Sequence, residues 1–161
     1  MPNTNWSNLN PLQLGRYAEY YAKMEIASYG LEVYTSEVDD HGVDFVCKKN
    51  KKEFMQIQVK SIRDYGYVFM QERKWDIKDS NLYLVLLIFT DGKLPDVFLI
   101  PATEWQNESE LFKYKKYEGL KSEPEYGLNL SKKNLHLLNR FGLDTVFLNM
   151  EKPLKDNKWK I

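Results

Sequence analysis

The sequence predicts an α/β fold with a leading helix, a β-meander within a mixed central sheet, further strands and a closing helix. Three observations carry that expectation. Residues 11–29 place apolar side chains at helical spacing behind an Asn-Pro start. Short β-type runs between residues 31 and 61 are separated by turn residues. Leu82 to Phe89 is an unbroken apolar run of strand length, read as a buried strand.

The elements follow in chain order. Asn10 can cap the first helix, Pro11 suits its first turn and Gly30 ends it. With Ala18 at the centre, Leu14, Tyr21, Ala22 and Tyr29 share one face, which predicts a buried side. Glu25 falls within that face and Glu19 on its shoulder. Leu31–Ser36, Val43–Lys48 and Glu53–Ser61 are the next three strands, joined by Asp39-Asp40-His41-Gly42 and by the polar residues 50–52. Connections this short require antiparallel neighbours, because a parallel pair needs a crossover of about a dozen residues or more. Tyr67–Gln71 reads as another strand or a short extension, and Leu82–Phe89 and Asp96–Ile100 are further strands. Residues 102–126 are charged and aromatic and read as helical at most in pieces. Ser131–Arg140 predicts a capped helix stopped by Gly142, and Thr145–Met150 a last strand. One domain over 1–161 is expected, with a core at about 12–105 and a C-terminal helix, strand and basic tail over 128–161.

Composition narrows the function. Lys plus Arg and Asp plus Glu both number 23, so the formal net charge is zero. A global basic field is therefore absent, and any nucleic-acid contact has to come from local patches. The single cysteine, Cys47, excludes an internal disulfide and favours a cytoplasmic setting. No secretory leader pattern is expected at the start of the chain, and the longest apolar run is far short of the about 20 residues a membrane helix needs.

The chemistry concentrates on the third strand. Side chains alternate, so Phe54, Gln56, Gln58 and Lys60 share one face, and Met55, Ile57, Val59 and Ser61 the other, apolar one. Gln58 and Lys60 stand roughly 7 Å apart along the strand. The adjacent strand contributes Asp44, a carboxylate set between Val43 and Phe45. Phosphodiester hydrolysis uses such a set: oxygen ligands converging on a hard cation, and an ammonium facing the developing phosphate charge.

Gly15-x-x-x-Glu19 on the helix, Gly42-Val43-Asp44, and Gln56-Ile57-Gln58-Val59-Lys60-Ser61 together resemble the PD-(D/E)XK nuclease superfamily, in its small endonuclease-like and Holliday-junction-resolvase-like branch. The resemblance covers residues 12–64 and continues less specifically through Leu82–Trp105. It implies a restriction-endonuclease-like core and hydrolysis of DNA with one or two Mg2+ or Mn2+ ions. Asp44 would be a metal ligand, Gln58 a second ligand or water-positioning group, and Lys60 the catalytic lysine. The Val59 carbonyl would also face the metal, and Glu19 would complete the shell. Two departures stand out. No proline precedes Asp44, and Gln58 occupies the position where most active members carry Glu. The amide brings no charge, so a competent site depends on Glu19.

The alternatives are a non-catalytic module of the same fold that binds nucleic acid or a protein partner, or a subunit of a defence or restriction system. For Glu19 the plain alternative is an exposed pair with Lys23, one turn on. Glu25 is its rival as the helix carboxylate. DNA is the expected partner, with junction, duplex and single strand all compatible, no membrane, and a homodimer allowed. Phe112-Lys113-Tyr114-Lys115-Lys116-Tyr117 interleaves aromatic and cationic side chains, as does a single-strand contact. Lys152, Lys155, Lys158 and Lys160 form a second basic cluster.

Overall fold

A computed structural model describes residues 1–38 and 41–150. The Asp39-Asp40 turn expectation and the lysine-rich tail lie outside the described residues.

Helix α1, Pro11–Ser28, starts where its capping chemistry dictates. The Asn10 side chain accepts from the Gln13 amide while the Gln13 side chain accepts from the Asn10 amide, and Pro11 occupies the first turn. Gly30, at φ 87°, turns the chain out of the helix. Its buried stripe is Leu14, Ala18, Ala22 and Ile26. Tyr21 is only partly buried and Tyr29 is exposed, so the predicted face is rotated slightly toward Ile26.

Strands β1 (Val33–Thr35), β2 (Phe45–Lys48) and β3 (Phe54–Arg63) form the expected antiparallel meander. Strand β4 (Gly66–Gln71) then leaves this sheet, and β5 (Leu82–Phe89) returns parallel to β3, with β6 (Asp96–Pro101) antiparallel at its far side. The five-stranded order is β1-β2-β3-β5-β6. Every residue of β5 is buried, as a strand covered on both faces must be. Tyr83, Val85, Leu87 and Phe89 pack with α1, Phe45, Cys47, Met55 and Ile57. Leu82, Leu84, Leu86 and Ile88 pack on the opposite side with Trp75, Trp105, Leu128 and Leu138. Cys47 is fully buried, and that burial pushes its thiol up to about 12.

The second side is covered by an element that the sequence pattern did not reveal. Residues 102–126, expected to be helical at most in pieces, contain a 3-10 turn at Ala102–Gln106 and strand β7, Phe112–Lys115. Together with β8 (Glu125–Leu130) and β4 they form a sheet of order β4-β8-β7. The pairings join Val68 to Leu128 and Phe112 to Leu128, contacts remote in sequence that local propensity does not report.

Two C-terminal expectations are corrected. The helix predicted at Ser131–Arg140 is a 3-10 helix over Leu135–Phe141. The Asn134 side chain accepts from the Ser131 amide and donates to the Asn129 carbonyl, a local alternative to helical pairing. The strand predicted at Thr145–Met150 is instead helix α2, Leu143–Asn149. Leu143, Val146, Phe147 and Met150 pack against the α1-side core at i, i+3, i+4 and i+7, and that burial overrides the β-branched composition. Among the described residues no helix is long and apolar enough to cross a membrane.

Candidate active site

Asp44 stands immediately before β2, where the strand's regular pairing with β3 gives out. Its amide still donates to the Ile57 carbonyl at 2.8 Å. The next link is made by its side chain: Oδ2 accepts from the Val59 amide at 2.6 Å. The carboxylate is thereby fixed on the backbone between Gln58 and Lys60. A charged acceptor on a backbone donor is among the stronger hydrogen bonds, and it orients the group as well as holding it.

Gln58 and Lys60 pair in register with Leu84 and Leu86, so their side chains face the second-sheet side. The face expected to be polar is consequently covered, and Gln58 is only 9% exposed. Its Oε1 is buried and has no hydrogen-bond partner. An unpartnered amide oxygen in such a place costs about 1–3 kcal/mol unless something accepts its lone pairs. Gln56, one step back on the same face, is satisfied by contrast: its Nε2 donates to Asp79 at 3.1 Å.

Lys60 is half-buried, and its ammonium lies 6.0 Å from the centre of the Phe69 ring. Desolvation lowers its pKa below the ordinary 10.5; Asp44 opposes that shift and Lys74 reinforces it. Lys74 is the residue that sequence reasoning missed. It lies in the 3-10 turn Glu72–Lys74, anchored by the buried Trp75. Its aliphatic stem crosses Gly42, where an added Cβ would come within 3.2 Å of Cδ and 3.8 Å of Gln58 Nε2. Gly42 also has φ 77°, so two independent constraints demand glycine there. The Glu72-Arg73-Lys74-Trp75 run was a visible signal, since a tryptophan among charges marks an anchored turn. Nothing local, however, linked it to Asp44.

Lys60 titration follows from this arrangement. Because the folded-state pKa is lowered, the unfolded chain binds the extra proton between the folded value and 10.5, and Lys60's unfavourable effect on stability eases as pH rises through that window. Asp44→Asn should lower the Lys60 pKa further, and Lys74→Met should raise it. Side-chain NMR titration of the lysine Cε resonance checks both signs, and shifts in the reverse directions would contradict the geometry.

Glu19 is placed differently from the residues on β3. Its carboxylate pairs with Arg16 Nη1 at 2.7 Å rather than with Lys23. Lys23 instead holds its ammonium 5.8 Å from the ring centres of Tyr20 and Phe45. This flank of α1 therefore lies over Phe45 at the start of β2, while Gln58 and Lys60 lie on the far face of the sheet. Glu19 is not among the charges that act on Lys60. Glu25 adds to burial in raising the Tyr21 pKa and lines a separate cleft with Asp64, Asp96 and Asp144. His41 is exposed and borders, with Arg73, Lys74 and Asp76, a cavity of about 370 Å³ next to Gln56. Among the described residues no group of three or more His, Cys, Asp or Glu converges for a metal ion.

Asp44 and Gln58 nevertheless fit a cation that keeps most of its own water. Mg2+ is commonly held by one or two carboxylates together with substrate phosphate. One fixed carboxylate and one unpartnered amide oxygen match that limited demand.

No family model matches the chain, and no curated protein matches it. Among solved structures, the chain is similar to Hjc, a Holliday junction resolvase from the archaeal hyperthermophile Archaeoglobus fulgidus. The identity is 11% and the TM-score 0.46, over 71% of this chain and 83% of that one. At that level of similarity, function rests on the residues of the chain itself.

Proposed function

We propose that this protein is a metal-dependent phosphodiester hydrolase acting on DNA, with Asp44, Gln58 and Lys60 as its central residues. The observation that carries the reading is the Asp44 carboxylate fixed on the Val59 amide, with the unpartnered Gln58 Oε1 and the desolvated Lys60 on either side. Asp44 and Gln58 would hold Mg2+ or Mn2+, with the Val59 carbonyl as a further oxygen donor. When bound, such an ion polarises the phosphate and acidifies water.

The chain's own groups supply the rest. Asp44 is fixed by a backbone donor, so it stays aligned without spending side-chain freedom during the reaction. Lys60 carries its charge into a dry environment, where it stabilises developing negative charge on the phosphate more strongly than it would in water. Lys74 adds a second cation near the first. Among the described residues neither ammonium has a carboxylate within ion-pair distance. A phosphate entering the site relieves the repulsion between them.

The Arg16–Glu19 pair favours a second reading, a nucleic-acid-binding module of the same fold without hydrolysis, because it ties up the carboxylate that would balance the neutral Gln58. The test is cleavage of labelled single-stranded, duplex and junction DNA in Mg2+ and in Mn2+. The hydrolase reading expects cleavage of at least one form, and a Lys60→Ala loss of about 10²–10³-fold. No cleavage of any form by the parent protein, with binding retained, would establish the module instead.

A further inference from the structure

The outer face of the β4-β8-β7 sheet carries side chains that the core does not use. Val68, Met70, Phe112, Leu128 and Leu130 point inward. Their neighbours in register point outward: Phe69, Gly127 and Lys113 form one row across the three strands, and Gln71, Glu125 and Lys115 the next. Phe69 is 47% exposed, unusual for a phenylalanine in mid-strand. Its ring is nearly parallel to that of Tyr67, at 18° with centres 6.3 Å apart. Lys115 Nζ lies 3.9 Å from the centre of the Tyr67 ring, and Lys60 Nζ 6.0 Å from that of Phe69.

The acidic groups nearby do not oppose an anion on this face. Glu125 is buried, and Glu118 is paired with Lys116 at 2.7 Å. The face is thus aromatic at its centre and cationic at its margins.

We infer that this face is a stacking platform for unpaired bases, with Phe69 as the residue on which a base of single-stranded DNA lies. The charge pattern selects that occupant. An apolar protein partner has no need of lysines beside exposed rings, whereas a nucleic-acid strand presents a π-face and an anionic backbone together. Continuity with the candidate site gives it direction. Lys60 is shared, so a base stacked on Phe69 places its own phosphate beside the ammonium. Resting on the hydrolase reading, the platform names its substrate class: DNA with unpaired nucleotides next to the bond to be cut.

The sequence pointed to this region through the wrong aromatics. In the 112–117 run, Phe112 faces the core, and Tyr114 packs on Tyr126 and hydrogen-bonds Glu72. The lysines at 113 and 115 serve the outer face, and the aromatic partner of Lys115, Tyr67, comes from β4.

Binding without hydrolysis tests the platform. Fluorescence anisotropy with a labelled oligothymidylate and with a duplex of equal length, in EDTA at low salt, should show preference for the single strand. Phe69→Ala should weaken single-strand binding about 10-fold, within the range for one stacked base, and Phe69→Trp should restore it. Circular dichroism of each variant confirms that the fold is kept. An unchanged Phe69→Ala affinity would overturn the platform, as would equal binding of duplex, or no binding by the parent chain, the result expected of a protein-docking face or a contact between copies. If Phe69→Ala weakens binding but the parent cleaves nothing, the platform stands and the hydrolase reading falls. Cleavage with an unaltered Phe69→Ala affinity gives the reverse.

Discussion

Asp44→Asn is expected to reduce metal-dependent DNA cleavage by about 10²–10³-fold while leaving the fold intact. Asparagine has nearly the same shape, and its Oδ1 still accepts from the Val59 amide that now holds Asp44 at 2.6 Å. What it removes is the negative charge, the only charged oxygen among the donors on this face of β3. Asp44→Ala removes the acceptor as well. The partly buried Val59 amide then loses its partner, which should cost about 1–3 kcal/mol in stability beyond the catalytic loss. Cleavage assays in Mn2+ and urea denaturation separate the two effects. Full cleavage by Asp44→Asn would remove Asp44 from the chemistry. A shared stability loss in both variants would make it a structural cap on β2 and no more.

That contrast marks how far the site was legible in advance. Gln58 and Lys60 could be placed on one face because strand alternation is a local rule, and Asp44 on the neighbouring strand because the turn between them is short. Helix α1 was legible for the same kind of reason: Asn10, Pro11 and Gln13 are all neighbours in sequence. What failed depended on remote partners. The burial of Gln58 comes from a second sheet whose strands pair across some sixty residues, as Val68 does with Leu128. Lys74 reaches the site because Trp75 packs edge-on against Trp105, 5.5 Å between ring centres. The α2 segment has strand-like composition, and only its docking on the α1-side core makes it helical. Glu19 was expected to complete the site by resemblance and because the Gln58 amide brings no charge. Its pair with Arg16 is a local i, i+3 contact, but which of two basic neighbours it would choose depended on where Lys23 lay, over Phe45.

Gly127→Ala should be the most damaging single-methyl change in the second sheet. An added Cβ there would lie 2.0 Å from Tyr67 Oη and 2.2 Å from two of its ring carbons. Neither side can yield easily. The Gly127 carbonyl is held from the core side by Trp105 Nε1 at 2.8 Å, so the backbone cannot retreat. Tyr67 is held from the outside by Lys115, whose ammonium lies over its ring. Displacing the ring is overpacking at a severe contact and costs about 3 kcal/mol. For a chain of this size, that corresponds to a fall in Tm of roughly 6–12 °C. A double-mutant cycle identifies the cause. In a Tyr67→Ala background the methyl has room, and the Gly127→Ala cost should fall below about 1 kcal/mol, a coupling expected only of residues in direct contact. An undiminished cost in that background would place the strain in the strand itself. The same cycle bears on the platform, because Tyr67 lies beside Phe69. A Gly127→Ala chain kept folded at low temperature should lose single-strand affinity even though Phe69, Lys60 and Lys115 are all still present.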